Sequence, residues 1–187
     1  MKKFIIIFIT FIFVSCNLVS TRDPEIPSNN RSNFEVAATP EILFNNLRNS
    51  FSDKVVENYI ACFVDVSFSD KEFIFEPAIE VASQFSNWNL DSEENYFKNI
   101  ISIVDEESPI FLNLIETDSQ LEGESADYFF DYEIIINSED KRIVDSFKGS
   151  THFKIYLDSR QHWVIANWRD YQSENNVSWS ELKGRFY

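Results

Sequence analysis

Apolar positions along this chain change their period once, near its middle, and the change separates helices from strands. Thr39-Pro40-Glu41 reads as a helix start: a capping hydroxyl, proline in the first turn and an acid behind it. Leu43, Phe44, Leu47 and Phe51 then recur at three- and four-residue spacing. Ser52 and Asp53 suggest a second helix start, with Val55, Val56, Tyr59, Ile60 and Phe63 as its apolar positions. Phe73-Ile74-Phe75-Glu76 is extended and stops at Pro77, and Ala78 to Trp88 reads as a short helix. Asp91-Ser92-Glu93-Glu94 opens another helix that runs through Tyr96, Phe97, Ile100, Ile101 and Val104.

After Pro109 the period becomes two. Four strands are predicted: Ile110 to Thr117, Ala126 to Asn137, Val144 to Leu157, and His162 to Asp170. In the second, Tyr128, Phe130, Tyr132, Ile134 and Ile136 share one face. Asp127, Asp131 and Glu133 share the other with Phe129 and Ile135, as expected of an antiparallel sheet packed on one side and largely wet on the other. Helices followed by an antiparallel meander define an α+β fold, with N-terminal helices and an antiparallel sheet in one domain.

The first 38 residues follow neither period. Lys2 and Lys3 precede an apolar run from Phe4 to Val14, then small Ser15 and Cys16: the parts of an export signal, in a run too short to span a bilayer. Phe13-Val14-Ser15-Cys16 resembles the bacterial lipobox, with phenylalanine where leucine is usual. The resemblance implies a signal peptide over 1–15, cleavage before Cys16 and acylation of that cysteine, palmitate included, since two or more chains hold a protein on a membrane firmly. A bacterial cell envelope is the expected location, with the outer membrane the expected surface. Residues 16–38, polar and carrying Pro24 and Pro27, read as a tether, leaving 39–187 for the domain. As a flexible coil, Asn17 to Ala38 would reach about 26 Å.

Charge narrows the partners. The chain carries −15, and residues 65–140 hold 20 acids against Lys71 and Lys98 alone. Nucleic acid is therefore excluded as an expected partner. With three glycines, no phosphate loop or dinucleotide fingerprint is present. Cys62, in an apolar stretch, reads as a small buried hydrophobe.

The element order, from Thr39-Pro40-Glu41-Ile42-Leu43 to the closing Trp163-Val164-Ile165-Ala166-Asn167-Trp168-Arg169-Asp170, resembles the nuclear transport factor 2-like superfamily over roughly Thr39 to Tyr187. That resemblance implies a sheet wrapping the helices into a cone with a pocket at its open end. The superfamily holds isomerases, dehydratases, cyclases and many members without activity, so fold alone does not carry function.

Candidate chemistry is sparse. By strand alternation His152 falls on a polar face with Ser150, Lys154 and Tyr156, and His162 adjoins a turn, so both read as solvated. Asp105-Glu106-Glu107 and Glu122-Gly123-Glu124 read as solvated turns; no metal or cofactor is expected, and no catalytic residue is assigned. The pocket-lining candidates are Tyr128, Phe130, Tyr132 and Trp168, the last inward beside Val164 and Ala166, together with Asp65 after the second helix. The leading expectation is a membrane-tethered, non-enzymatic binding or accessory domain whose partner is a small apolar ligand or an envelope protein. The alternative is a small isomerase- or dehydratase-like enzyme acting on an apolar carbonyl compound in the cone.

Overall fold

Thr39 caps the first helix as its sequence predicts, its side chain accepting a hydrogen bond from the Ile42 N–H at 3.4 Å. The computed structural model describes residues 33–144 and 146–187. The signal segment, Cys16 and most of the tether lie outside the described residues. Residues 33–37 belong to the fold, so the folded part begins before the expected boundary at Thr39. The Asn46 side chain pairs with the backbone of Glu35 in both directions, at 3.0 and 2.6 Å, and the Ala37 carbonyl accepts the Trp163 N–H at 2.8 Å.

Helix α1 (Pro40–Asp53) buries Leu43, Phe44, Leu47 and Phe51. Ser52 and Asp53, expected to open a second helix, are its last residues. The break comes one residue later, where Lys54 takes a left-handed conformation, φ 54°. Its ammonium is occupied there, donating to the carbonyls of Asp105, Glu106 and Ser108 at 2.6, 2.6 and 3.0 Å. Helix α2 (Val56–Ile60) is a single turn, ending before Phe63 because the chain straightens to pair with the last strand. There the Val64 N–H donates to the Ile165 carbonyl and the Ile165 N–H to the Cys62 carbonyl, each at 2.9 Å. Cys62 is fully buried, and burial pushes its thiol up. The expected helix from Ala78 to Trp88 is a shorter 3-10 turn, Ile79–Gln84, and α3 (Leu90–Ser102) starts at Asn89, whose side chain accepts the Ser92 N–H.

The sheet runs β1-β5-β4-β3-β2, with β1 (Ile74–Glu76) parallel to β5 (Trp163–Gln172) and the other pairs antiparallel. Strands β2 (Ile110–Glu122) and β3 (Ser125–Ile136) form a hairpin turned by Gly123 at φ +61°. β2 continues past its expected end at Thr117. Its alternation fades there because the strand beyond the irregularity at Glu116/Asp118 faces no core and is exposed throughout.

On β5 a bulge changes the reading. Lys154 of β4 (Phe147–Leu157) pairs with Asn167, but the next residue, Ile155, pairs with Ile165, leaving Ala166 as the extra residue. Trp168 does face inward, but beside Trp163 and Ile165. Val164 and Ala166 turn to a small separate cluster with Val64. A last helix, α4 (Trp179–Phe186), was not predicted. It opens with a full capping box in which Ser178 and Glu181 satisfy each other's backbone N–H. α4 buries Trp179, Leu182 and Phe186 against the sheet's inner side.

Candidate functional site

Two places could hold chemistry: the interior of the cone and a groove at its surface. The interior is built from β3, β5, α3 and α4, each carrying polar side chains on its packed face. Tyr132 of β3 donates its hydroxyl proton to Asp170 Oδ1 at 2.7 Å and accepts the Trp179 N–H at 2.7 Å. The other Asp170 oxygen accepts from the Ser180 backbone at 2.7 Å and its hydroxyl at 2.5 Å. Ser180 Oγ in turn accepts the Ala78 N–H at 2.9 Å. Gly149 on β4 makes room for this arrangement, since a Cβ there would meet the Tyr132 hydroxyl at 2.5 Å.

A few residues along, Glu93 and Lys183 form a fully buried ion pair. Glu93 Oε1 also accepts from Trp88 Nε1 at 2.6 Å and Oε2 from the Tyr59 hydroxyl at 2.8 Å. The Lys183 ammonium lies over the rings of Trp168 and Phe75, 3.4 and 3.6 Å from their centroids. Burial pulls that ammonium down to about 8 even with Glu93 beside it. Burial likewise raises Asp170, against the hydrogen bonds from Ser180 and Tyr132, and raises Tyr59, Tyr96 and Tyr132 well above the ordinary phenol. Tyr96 accepts Trp179 Nε1–H at 2.8 Å. α4 thus fills the cone, and its polar atoms are satisfied by neighbours.

The groove is assembled from residues far apart in the chain: 34–37, 56–66, 72–73, 89–94 and 160–164. It encloses about 840 Å³, within the span of small-molecule sites, roughly 300–1,000 Å³. Its floor is apolar, with Val56, Ile60, Phe63, Phe73, Leu90 and Trp163. Glu57, Asp65, Glu72, Asp91 and Glu94 stand around it. Val36 and Val66, both lining residues, are 61% and 73% exposed, apolar surface that a ligand would cover.

The sequence candidates divide between these places. Phe130, Tyr132 and Trp168 are buried in the core and Tyr128 is half-buried against it, so none of the four lines the groove; Tyr132 does line a smaller cavity of about 350 Å³ with Arg48 and Asp131. The Phe44 ring fills the space before β3, 4.9 Å from Tyr128 and 4.7 Å from Phe130. Asp65 lines the groove, exposed, its carboxyl held below the usual range by hydrogen bonds from Ser67. His162 lines it too, half-exposed. His152 lies on the sheet's polar face as expected, but it is held there: Nε2 is 2.6 Å from Asp127 and the ring stacks on Phe129. Among the described residues no group of three His, Cys, Asp or Glu is placed to hold a metal, and no helix is long and apolar enough to cross a membrane.

No protein-family model and no curated protein matches the chain. Solved structures match its fold. A candidate aromatic ring hydroxylase from Novosphingobium aromaticivorans superposes with TM-score 0.57 at 11% identity, over 76% of this chain and 92% of that one. A nuclear transport factor 2-like protein of unknown function from Pseudomonas putida gives 0.53 at 10%, over 74% and 89%. A protein of the same superfamily from Salmonella enterica gives 0.52 at 14%, over 72% and 89%. At such identities the likeness establishes the fold alone. Helices packed on a curved, unclosed five-stranded sheet make it the nuclear transport factor 2-like α+β fold.

Proposed function

We propose that this chain is a binding module, held on a bacterial membrane by lipid on Cys16, whose ligand seat is the surface groove. One observation supports this above the others: α4 fills the cone, while the 840 Å³ groove stands open with an apolar floor. The enzyme reading has a specific point in its favour. Tyr132 and Asp170 are a tyrosine and an acid of the kind that would polarise a carbonyl compound. They bond directly to each other at 2.7 Å, however, and Trp179 occupies the tyrosine's remaining direction. A substrate between them would have to displace α4, whose Trp179 and Leu182 are wholly buried.

The test uses Nile red, a neutral apolar dye, on the chain without its signal segment. The wild type is expected to raise dye emission saturably. Ala61→Trp, which fills the groove from an exposed position, should abolish the rise without unfolding the chain. Tyr132→Phe, in the filled interior, should leave dye binding unchanged. Loss of binding in Tyr132→Phe but not in Ala61→Trp would return the ligand to the cone.

A further inference from the structure

We infer that the groove's ligand is an amphipathic cation, a small molecule with an apolar body and an ammonium-type head; this rests on the groove being the ligand seat. The apolar floor accounts for the body. The head follows from how the charges around the groove are engaged. Among the described residues Glu57, Glu72 and Asp91 are exposed and have no cationic partner. Asp65 accepts the Ser67 N–H at 2.8 Å, with the Arg160 charge acting on it as well. Glu94 alone is paired, with Lys98.

The positive charge nearby is already committed. Arg160 donates to Asp158 Oδ2 from Nη2 at 2.6 Å and from Nε at 2.9 Å, and its guanidinium lies 3.8 Å over the Phe68 ring. Lys71 pairs with Asp70 at 3.0 Å. Among the described residues, a ligand entering the groove therefore meets carboxylates without a cationic partner, while Arg160 and Lys71 are paired and His162 is the one other basic side chain on the wall. An anionic head would face uncompensated repulsion, and a neutral head would leave the attraction unused. The volume favours a small molecule of this class over a folded partner.

Acidic surfaces also serve solubility, and Asp91 lies in the first turn of α3, where the helix itself favours a negative charge. The experiment must therefore separate these carboxylates from the chain's general negative charge. Dodecylammonium, dodecanol and dodecanoate share one tail and differ only in the head. Each competes against Nile red, below its aggregation concentration. The ammonium should bind about tenfold more tightly than the alcohol, equivalent to about 1.4 kcal/mol, with the carboxylate weakest. That preference should shrink towards unity in about 0.5 M salt, where the screening length falls to a few ångströms.

Glu57→Gln, Glu72→Gln and Asp91→Asn combined should erase the ammonium preference and keep dodecanol binding. Glu107→Gln, Glu124→Gln and Glu139→Gln make the same change in net charge at exposed positions outside the groove and should leave the preference intact. If all three heads bind alike, or the two triple variants behave alike, the cation inference is overturned while the groove remains a binding site. If no head competes with the dye, the groove reading falls and the inference with it.

Discussion

Glu93 and Lys183 show what one pair of residues can hide in a sequence. Glu93 stood in an acidic run and read as helix-start charge, yet it lies three, four and seven residues before Tyr96, Phe97 and Ile100, on the buried stripe of α3. Lys183 shares the buried face of α4 with Trp179 and Phe186 in the same way. Helical phase carried the signal; charge type masked it. Lys183→Met leaves Glu93 as a buried, unpaired carboxylate and is expected to cost about 3–5 kcal/mol in urea unfolding. Adding Glu93→Gln removes that charge and should recover much of the loss, a coupling that a double-mutant cycle measures. The pair also sets a pH dependence. With its folded value near 8 and its unfolded value near the ordinary lysine range, the unfolded chain holds the extra proton between about pH 8 and pH 10. The contribution of Lys183 to stability should therefore be flat below that window and rise with pH across it. Above about pH 10 stability should fall, because the raised Tyr59, Tyr96 and Tyr132 keep protons that the unfolded chain loses. The double variant should lack the rise; if it retains the full rise, Lys183 is not its source.

Among the elements, α4 and β5 were misread for different reasons. Ser178-Trp179-Ser180-Glu181 is a readable capping box ahead of an apolar pair, Leu182 and Phe186, so α4 could have been found. The β5 bulge could not. Val164, Ala166 and Trp168 alternate as one face on paper, and only pairing with Lys154 and Ile155 reveals that Ala166 is the extra residue. Of the helix starts legible in the sequence, the one before Glu93 rests on first-turn acids, while Thr39, like Ser178, is a capping hydroxyl. Their strengths should differ. Ser178 is fully buried and holds the N–H of Glu181 at 3.2 Å, while the Thr39 contact is exposed and 3.4 Å long. Ser178→Ala should cost about 1–2 kcal/mol in urea melts and Thr39→Ala about 0.5 kcal/mol. The opposite order would mean that α4 contributes little to closing the cone.

For the molecule as a whole, element order was legible because period, caps and turns are local, and it sufficed for the fold. The groove was not legible, because five separate stretches meet there and no local pattern marks their meeting. Anchoring stands on the other side: Phe13-Val14-Ser15-Cys16 is visible only in the sequence. In a bacterial host the wild-type chain is expected to incorporate labelled palmitate and Cys16→Ser to lose it. Equal labelling of the two would remove the anchor from the proposal.

The strap at residues 33–37, held by Asn46 and Trp163, has a mechanical consequence. Among the described residues, a chain held at Cys16 as proposed would pass a tug to Asn33, whose bonds to Asp53 and Asn49 are exposed, then to Glu35, held by Asn46, and then to Ala37, whose carbonyl holds Trp163. Phe34, Val36 and Ala37 are also groove wall. Peeling the strap would dismantle that wall, so under the proposed anchoring and binding an occupied groove would resist peeling and a taut anchor would loosen the occupant. Phe34, Val36 and Ala37 are common to the strap and the groove wall, so under the proposed anchoring tension on one would be felt as affinity in the other.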